Sequence, residues 1–223
     1  MTDKTLFITG ASSGIGAETA RAAVAQGWNV GLFARSEDKL EALVEELGPK
    51  ALALPGDATS LNDQRGAMEH LSSHFGGVDA AFANAGMGLD TPGTRDGDPE
   101  EWEAMIRLNI LGVMWTAKAA SAHFDGGGHL LLTGSAAGRR HIKGSLYGAT
   151  KWFVHGYGGN LAEEFREFGA RVTVIAPGMV DTAFFDEPKP DKLQPEDIAR
   201  AVLFALEADQ RASVQEVFVM PTG

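Results

Sequence analysis

The sequence predicts an α/β fold in which about seven parallel strands form a doubly wound sheet with helices on both faces. Short apolar runs alternate with helical patterns along the whole chain. A glycine-rich turn separates the first apolar run from the first helical pattern, and no linker, repeat or low-complexity segment interrupts the alternation. Parallel strands joined by crossover helices satisfy such a pattern. We therefore predict one domain over residues 1–223, with any ligand site beyond the carboxyl ends of the strands.

The apolar runs and the residues that end them define the elements in order. The predicted strands are 5–9, 29–34, 51–54, 80–83, 129–133, 172–176 and 217–220. The predicted helices are 15–26, 37–47, 62–75, 98–122, 147–168 and 195–208. Gly27 ends the first helix, Ser36 caps the second, and Pro99 at the start of the fourth follows the capping residue Asp98. A polar loop, 88–98, and a glycine loop, 126–128, bound the fourth helix.

Composition excludes several classes of protein. The chain has 223 residues, of which 44% are hydrophobic and 22% are charged, enough for a substantial core. With no cysteine, it has neither disulfides nor thiolate metal sites, which fits a reducing compartment. The net charge of −11 argues against partners such as nucleic acid or an anionic membrane. Residues 1–4 run directly into the first strand and no apolar run approaches the ~18 residues of a membrane span, so we expect a cytoplasmic protein without a leader.

Residues 6–16, Leu-Phe-Ile-Thr-Gly-Ala-Ser-Ser-Gly-Ile-Gly, resemble a phosphate cradle. A strand that ends in a glycine turn and opens a helix directs backbone N–H groups and a partial positive charge at an anion. Gly10 would make the turn, Gly14 would let a pyrophosphate approach, and Gly16 would let the helix pack on the strand. The spacing Gly-x3-Gly-x-Gly differs from the common G-x-G-x-x-G, so by itself it also fits an ordinary turn.

Tyr147 and Lys151 are candidates for acid–base chemistry. They are four residues apart at the start of the long helix, which places them on one face, and Ser135 follows the fifth strand at the same edge of the sheet. An ammonium beside a phenol lowers its pKa from ~10, and Ser135 could hydrogen-bond a substrate carbonyl. The same spacing also occurs as an amphipathic helix pair with no catalytic role.

Taken together, the motifs resemble the classical short-chain dehydrogenase/reductase family from residue 5 to about 223. The matching features are Thr9-Gly10-Ala11-Ser12-Ser13-Gly14-Ile15-Gly16, Asn84-Ala85-Gly86 after the fourth strand, Asn109 within a helix, the set Ser135, Tyr147 and Lys151, and Pro177-Gly178 with Thr182 four residues beyond. Counting Ser135 apart from the pair Tyr147 and Lys151, six motifs in the right order make chance similarity very improbable.

The resemblance implies an oxidoreductase with a Rossmann-type sheet. Tyr147 would protonate the substrate carbonyl as hydride arrives from the nicotinamide, and Lys151 would lower the pKa of Tyr147 and hold the nicotinamide ribose. Ser135 would orient the carbonyl, and Asn109 would hold a water linking Lys151 to solvent. Asp57 would contact the adenine, although it also reads as an ordinary residue leading a helix. The implied cofactor-binding positions are Gly10, Ser12, Ser13, Gly14, Ile15, Gly16, Arg35, Asp57, Asn84, Ala85, Gly86, Tyr147, Lys151, Pro177, Gly178, Val180 and Thr182.

The end of the second strand favours NADP(H). Ala34 occupies the position where NAD-preferring relatives carry an aspartate that repels a 2′-phosphate, and Arg35 can pair with that phosphate through its planar fork. Ser12 or Ser36 could add a hydroxyl. The nearby acidic residues 37 and 38 read as first-turn helix acids.

Two other site types receive no support. His70 and His74 have a metal-compatible spacing, but no third ligand is near in sequence, so we expect no metal site. The residues Gly134-Ser135-Ala136 do not form the G-x-S-x-G turn of a hydrolase.

The substrate is defined only in outline as a small carbonyl compound or alcohol. The segment 183–194, which serves as a lid in the family, is short and fits an open cleft for medium-sized ketones or aldehydes, while Arg139, Arg140 and Lys143 leave an acidic substrate open. The expected pocket walls are Met87, Ala136, Ala137, His141, Ile142, Met179, Phe184 and Phe185.

Glycines at 156, 158 and 159 in the long helix predict either close packing in a homodimer or homotetramer, through the helices that carry Asn109 and Tyr147, or a local kink.

Two other functions compete with the NADP(H)-dependent reductase. A regulatory protein that senses the nucleotide could share the fold, but such proteins often lose the tyrosine or the lysine, and both are present here. Another Rossmann enzyme, such as a methyltransferase, has no need of the pair Tyr147 and Lys151. The enzyme is therefore the favoured interpretation.

Overall fold

A computed structural model describes residues 4–91, 93–185 and 187–222. The residues left out are 1–3, where the absence of a leader was expected, 92 in the polar loop, 186 in the expected lid, and 223 at the end of the expected family resemblance. The expectations that concern these four places fall outside the described residues.

The predicted parallel sheet is confirmed. Its strands are β1 (Thr5–Thr9), β2 (Asn29–Ala34), β3 (Ala51–Pro55), β4 (Ala80–Ala83), β5 (His129–Thr133), β6 (Arg171–Pro177) and β7 (Glu216–Val219). They pair in the order β3-β2-β1-β4-β5-β6-β7, and every pairing is parallel. Strand β1 lies between β2 and β4, so the chain reverses its direction of winding there. A crevice opens beyond the carboxyl ends of the strands at such a switch point.

The helices cover both faces of this sheet. They are α1 (Gly14–Ala25), α2 (Glu37–Leu47), α3 (Leu61–Phe75), α4 (Pro99–Ile106), α5 (Val113–Ala120), α6 (Leu146–Arg166) and α7 (Pro195–Glu207). Short 3₁₀ turns lie at Gly48–Lys50, Ser121–His123 and Ala136–Arg139. Within the described ranges, no helix combines the length and the apolar character needed to cross a membrane.

Alternate residues of the strands contribute side chains to two apolar layers, one on each face of the sheet. In β1, Leu6 and Ile8 face the layer formed with α1, α2 and α7, whereas Phe7 faces the layer formed with α3, α5 and α6. Strands buried on both faces are apolar throughout, which is why the runs read as continuous hydrophobic segments rather than as alternating ones.

The predicted helix over 98–122 is confirmed, but it is not α-helical throughout. It begins as expected, with the Asp98 carboxylate accepting a hydrogen bond from the Glu100 N–H at 2.9 Å. It then passes through a π-helical turn, Arg107–Gly112, before α5. Gln64 Nε2 donates to the Gly112 carbonyl at 3.1 Å and Gln64 Oε1 accepts from Thr116 Oγ1 at 2.7 Å, so a side chain of α3 holds the end of this turn. Such turns are frequent at functional sites, and this one carries Asn109.

The glycines of α6 serve two different purposes. A Cβ on Gly158 would lie 2.5 Å from Val174 Cγ2, so this glycine lets α6 pack closely on the sheet. A Cβ on Gly156 or on Gly159 would meet no described atom within 4 Å, so these two lie on an open face of the helix.

Candidate active site

The turn between β1 and α1 has the shape of a phosphate cradle. Gly10 and Gly14 adopt φ angles of 67° and 53°, which side-chain-bearing residues rarely adopt. A Cβ on Gly16 would lie 2.3 Å from the Gly10 carbonyl oxygen, so only glycine allows α1 to begin this close to the strand. A Cβ on Gly14 would lie 3.2 Å from Thr182 Cγ2, which places the sequence-predicted Thr182 at the same turn. Ser13 precedes α1, and its side chain makes no capping hydrogen bond.

Asn84 joins three strand ends beside this cradle. Its Nδ2 donates to the Thr9 carbonyl at 3.0 Å, and its Oδ1 accepts from Thr133 Oγ1 at 3.3 Å. Thr9 Oγ1 in turn accepts the N–H groups of Asn84 and Ala85, each at 3.0 Å. The carboxyl ends of β1, β4 and β5 are thereby held together. A helix N-terminus preceded by a turn with a left-handed glycine fits the pyrophosphate of a dinucleotide.

Ser135, Tyr147 and Lys151 converge at the end of β5, as predicted. Ser135 Oγ accepts a hydrogen bond from the Ala137 N–H at 3.1 Å, and its hydroxyl lies close enough to the Tyr147 phenol to lower the pKa of that group. Lys151 is 3% exposed, and its ammonium donates to the Thr133 carbonyl at 2.8 Å and lies 5.6 Å from the centroid of the Tyr147 ring. The helix that carries Tyr147 and Lys151 is capped by Ser145, whose Oγ accepts from the Gly148 N–H at 2.9 Å.

Burial controls the acid–base properties of this group. It raises the pKa of the Tyr147 phenol, and the hydrogen bond with Ser135 opposes that rise. Burial also lowers the pKa of the Lys151 ammonium to about 8. The rise at Tyr147 is opposite in direction to the lowering expected from the Tyr–Lys spacing, because desolvation of the phenolate is the dominant effect. At neutral pH the phenol is therefore protonated.

Asn109 is fully buried in the π-helical turn and is held from two sides. Its Oδ1 accepts the Met87 N–H at 2.9 Å, while its Nδ2 donates to the Met87 carbonyl at 2.9 Å and to Thr150 Oγ1 at 3.2 Å. Both amide protons are thus used, and one acceptor lone pair on Oδ1 is left. A Cβ on Gly86 would lie 3.3 Å from that oxygen and 3.7 Å from the Lys151 ammonium, so Asn109 and Lys151 flank the same glycine.

The residues expected to select the cofactor lie together at the end of β2 and β3. The Gly56 N–H donates to the Ala34 carbonyl at 3.0 Å, which joins the two strand ends. Arg35 is exposed there, and no ion-pair partner of its guanidinium occurs among the described residues. Asp57 Oδ1 accepts from the Thr59 N–H at 2.8 Å, so part of this carboxylate stabilises the turn that leads to α3.

The segment after β6 closes the other side of the crevice. Gly178 donates its N–H to the Val219 carbonyl at 2.7 Å, and a Cβ there would lie 2.9 Å from Pro221, so this turn is held against the end of β7. Val180 is buried and forms a bridge with Leu193. The sequence-predicted Pro177, Gly178, Val180 and Thr182 therefore lie at one edge with the glycine turn.

Phe184 lies over the reacting group. Its ring centroid is 5.3 Å from that of Tyr147 and 5.2 Å from that of Phe185, and a Cβ on Gly88 would come 2.8 Å from it. The expected pocket residues His141 and Ile142 lie elsewhere. They line a cavity of about 270 Å³ whose lining does not include Ser135, Tyr147 or Phe184. His141 stacks there on the exposed Trp152, with ring centroids 5.6 Å apart.

Thr9, the first residue of the glycine-turn motif, and three residues that the motifs did not single out support the site. Thr9 and Thr133 join the strand ends, Thr150 holds Asn109, and the buried His155 contacts the Ser135 carbonyl. Thr150 and His155 carry a signal in the sequence, since helical spacing places polar residues at 147, 150, 151 and 155 along one side of α6. Helical spacing gives no signal for Thr9 and Thr133, which lie in strands, where threonine is common. No group of three His, Cys, Asp or Glu side chains that could hold a metal occurs among the described residues.

Comparisons with known proteins agree on one family. The family model described as short chain dehydrogenase matches residues 4–193. An uncharacterised oxidoreductase of Staphylococcus aureus strain MRSA252 is 37% identical over 228 residues, covering 99% of this chain and 98% of that protein.

Solved structures show the same similarity. An alcohol dehydrogenase from the archaeon Thermococcus sibiricus complexed with 5-hydroxy-NADP is 32% identical with a TM-score of 0.89, covering 98% of this chain and 97% of that one. A 3-ketoacyl-(acyl-carrier-protein) reductase from Brucella melitensis complexed with NADH is 27% identical with a TM-score of 0.90, with coverage of 98% and 97%.

Proposed function

Since this chain belongs to the short-chain dehydrogenase/reductase family, we propose that it is an NADP(H)-dependent oxidoreductase that interconverts a carbonyl compound and an alcohol. The observation that carries this proposal is the convergence of Ser135, Tyr147 and Lys151 beside the glycine cradle. A protein that only binds the nucleotide has no need of a buried phenol and a buried ammonium on adjacent turns of one helix.

Tyr147 acts as the general acid of reduction. Its raised pKa keeps the phenol protonated at neutral pH, so it can donate a proton to the carbonyl oxygen as negative charge develops there. Ser135 Oγ already accepts from the Ala137 N–H, so its own proton is available for that same oxygen. The two hydroxyls together fix the position of the carbonyl.

Lys151 and Asn109 return a proton to Tyr147 after it has donated its own to the substrate. Lys151 uses one N–H on the Thr133 carbonyl, and its pKa of about 8 lets it release and regain a proton near neutral pH. The free lone pair of Asn109 Oδ1 can accept from a water molecule beside Gly86, which would link Lys151 to solvent. The hydrogen bond from Asn109 Nδ2 to the Met87 carbonyl fixes the direction in which this lone pair points.

NADP(H) is the proposed cofactor, and when bound it supplies the hydride that the carbonyl carbon receives. The glycine cradle with Ser13 would hold the pyrophosphate, Asn84 and Lys151 the riboses, and Thr182 the nicotinamide side. Of the two solved structures compared, one holds 5-hydroxy-NADP and the other NADH, so they do not decide between the two cofactors. The support for NADP(H) comes from Arg35. It offers an exposed guanidinium to a 2′-phosphate, next to an alanine that does not repel it.

The substrate is proposed to be a medium-sized ketone or aldehyde. The aromatic ring of Phe184 over Tyr147 provides an apolar wall at the point of reaction. The basic residues Arg140 and Lys143 line the separate cavity beside Trp152, so they do not favour a carboxylate at the reacting carbon.

A homodimer or homotetramer is proposed through the helices that carry Asn109 and Tyr147. The open face at Gly156 and Gly159 would let helices of two copies approach closely. Nearby α4 carries a groove of about 420 Å³ lined by Pro99, Trp102, Glu103, Ile106, Arg107 and Leu111. Light scattering at micromolar concentration tests this proposal, and a monomer would contradict it.

A panel of carbonyl compounds, followed by the loss of NADPH absorbance, tests the proposed activity. It should include small aldehydes, aliphatic and aromatic ketones, and carboxylated ketones, each also assayed with NADH. We expect turnover of the uncharged ketones or aldehydes with NADPH. Tight NADPH binding without turnover of any compound would instead identify a nucleotide sensor.

A further inference from the structure

His155 is a buried imidazole that the proposed reaction does not use. It lies one turn beyond Lys151 and two turns beyond Tyr147 on α6, and it is 7% exposed. Burying a polar side chain is unfavourable unless it is hydrogen-bonded, and one ring nitrogen of His155 finds its partner at Ser135.

The ring nitrogen Nε2 must carry the proton. It lies 3.0 Å from the Ser135 main-chain oxygen, which can only accept a hydrogen bond, so Nε2 is the donor. The other nitrogen, Nδ1, lies 3.3 Å from Glu216 Oε1 but is not aligned for a hydrogen bond. Arg139 pairs with the same carboxylate at 2.6 Å and offsets its charge. Burial lowers the pKa of His155, which agrees with a neutral ring protonated on Nε2.

The loop that carries Ser135 is shaped around this ring. A Cβ on Gly138 would lie 2.6 Å from His155 Cδ2, and a Cβ on Gly134 would lie 3.0 Å from His155 Nε2. Glycine on each side of Ser135 therefore lets the loop close onto the imidazole. Ser135 is then held at its carbonyl by His155 and at its hydroxyl by the Ala137 N–H.

We propose that His155 is a positioning residue: by donating Nε2–H to the Ser135 carbonyl, it holds the Ser135 hydroxyl at hydrogen-bonding distance from Tyr147. The inference deepens the proposed function and rests on it. On its other side the ring lies beside the ion pair of Arg139 with Glu216 of β7, to which a neutral His155 makes no hydrogen bond. Removing the donor would let the serine loop shift, whereas the glycine turn between β1 and α1 is a separate loop and should stay unchanged.

Two matched variants separate positioning from packing. His155→Gln keeps an N–H donor near the place of Nε2, whereas His155→Met fills a similar volume without a donor. We expect His155→Met to lower kcat about tenfold with an NADPH Kd within about twofold of the wild-type value, and His155→Gln to recover most of that loss. Equal losses in both variants, or wild-type kcat in folded His155→Met, would overturn the proposal.

A second readout does not depend on turnover. The chain has two tyrosines, Tyr147 and Tyr157, so in a Tyr157→Phe background tyrosine labelled with ¹³C at Cζ gives a signal from Tyr147 alone. His155→Met should move this signal in the same direction as Ser135→Ala does, and His155→Gln should leave it near its original position. An unmoved signal in His155→Met contradicts the positioning role even if no carbonyl compound is turned over, and absent turnover with a moved signal contradicts only the proposed function.

Discussion

His129 makes the folded protein sensitive to acid. Its side chain is 3% exposed, and burial, with the nearby Arg171 charge, lowers its pKa to about 3. Its Nε2 lies 2.7 Å from Thr173 Oγ1, whose proton is donated to the Val214 carbonyl, so Nε2 must be the donor. Its Nδ1 is buried with no hydrogen-bond partner among the described residues. Protonation would place an unpaired cation there.

The sign and size of the effect follow from proton linkage. Above about pH 6.5 His129 is neutral in both states, so it adds no pH dependence. Below that value the unfolded chain takes up a proton that the folded chain does not, so stability falls as the pH falls until about pH 3. A difference of about 1.5 pH units between the unfolded pKa and pH 5 corresponds to about 2 kcal/mol lost at that pH.

Urea unfolding at about pH 7.5 and about pH 5, at one protein concentration, measures this loss. His129→Gln keeps a donor for Thr173 but does not titrate, so its free energy of unfolding should fall by about 2 kcal/mol less than that of the wild type between the two pH values. The exposed His70 on α3 provides the control, and His70→Gln should keep the wild-type pH dependence. The same pH dependence in His129→Gln and the wild type would show that His129 is not the source of the acid sensitivity.

Three further substitutions test the cofactor and substrate sites. Arg35→Asp should lower the ratio of kcat/KM with NADPH to that with NADH about 30-fold, while the same change at the exposed Arg65 should not; an unchanged ratio refutes the role of Arg35. Gly16→Ala places a methyl 2.3 Å from a backbone oxygen and should weaken NADPH binding at least about tenfold in a fluorescence titration, whereas Gly66→Ala, which meets open space, should not. Full affinity in Gly16→Ala would contradict the close packing of the turn. Phe184→Ala should raise kcat/KM for bulky ketones relative to small aldehydes, and unchanged selectivity would place the ring outside the substrate's path.

The elements and the shared edge of the site were predictable from the sequence. Apolar runs bounded by glycine, proline and capping residues predicted all seven strands to within about two residues of their observed bounds. The parallel order then places strand ends at one edge, so Gly10, Asn84, Ser135 and Thr182 could be expected near each other. These features are local, or they follow from the topology alone.

The features that the sequence did not predict depend on contacts between distant segments. The π-helical turn at Asn109 is stabilised by Gln64 and Thr116, and helical periodicity cannot show such contacts. The pKa of Tyr147 depends on its burial rather than on its spacing from Lys151. His155 could be noticed by its spacing, but its hydrogen-bond partner, the Ser135 carbonyl, lies on a loop 20 residues earlier in the chain.

The most direct test of the central claim is Tyr147→Phe, assayed for NADPH binding and for carbonyl reduction in the same preparation. Removing one hydroxyl takes away the general acid and leaves the glycine cradle intact. We expect a fall in kcat of at least about 10³-fold with an NADPH Kd within about twofold of the wild-type value. A variant that binds NADPH normally and keeps more than about a tenth of wild-type turnover would contradict the claim that Tyr147 donates the proton.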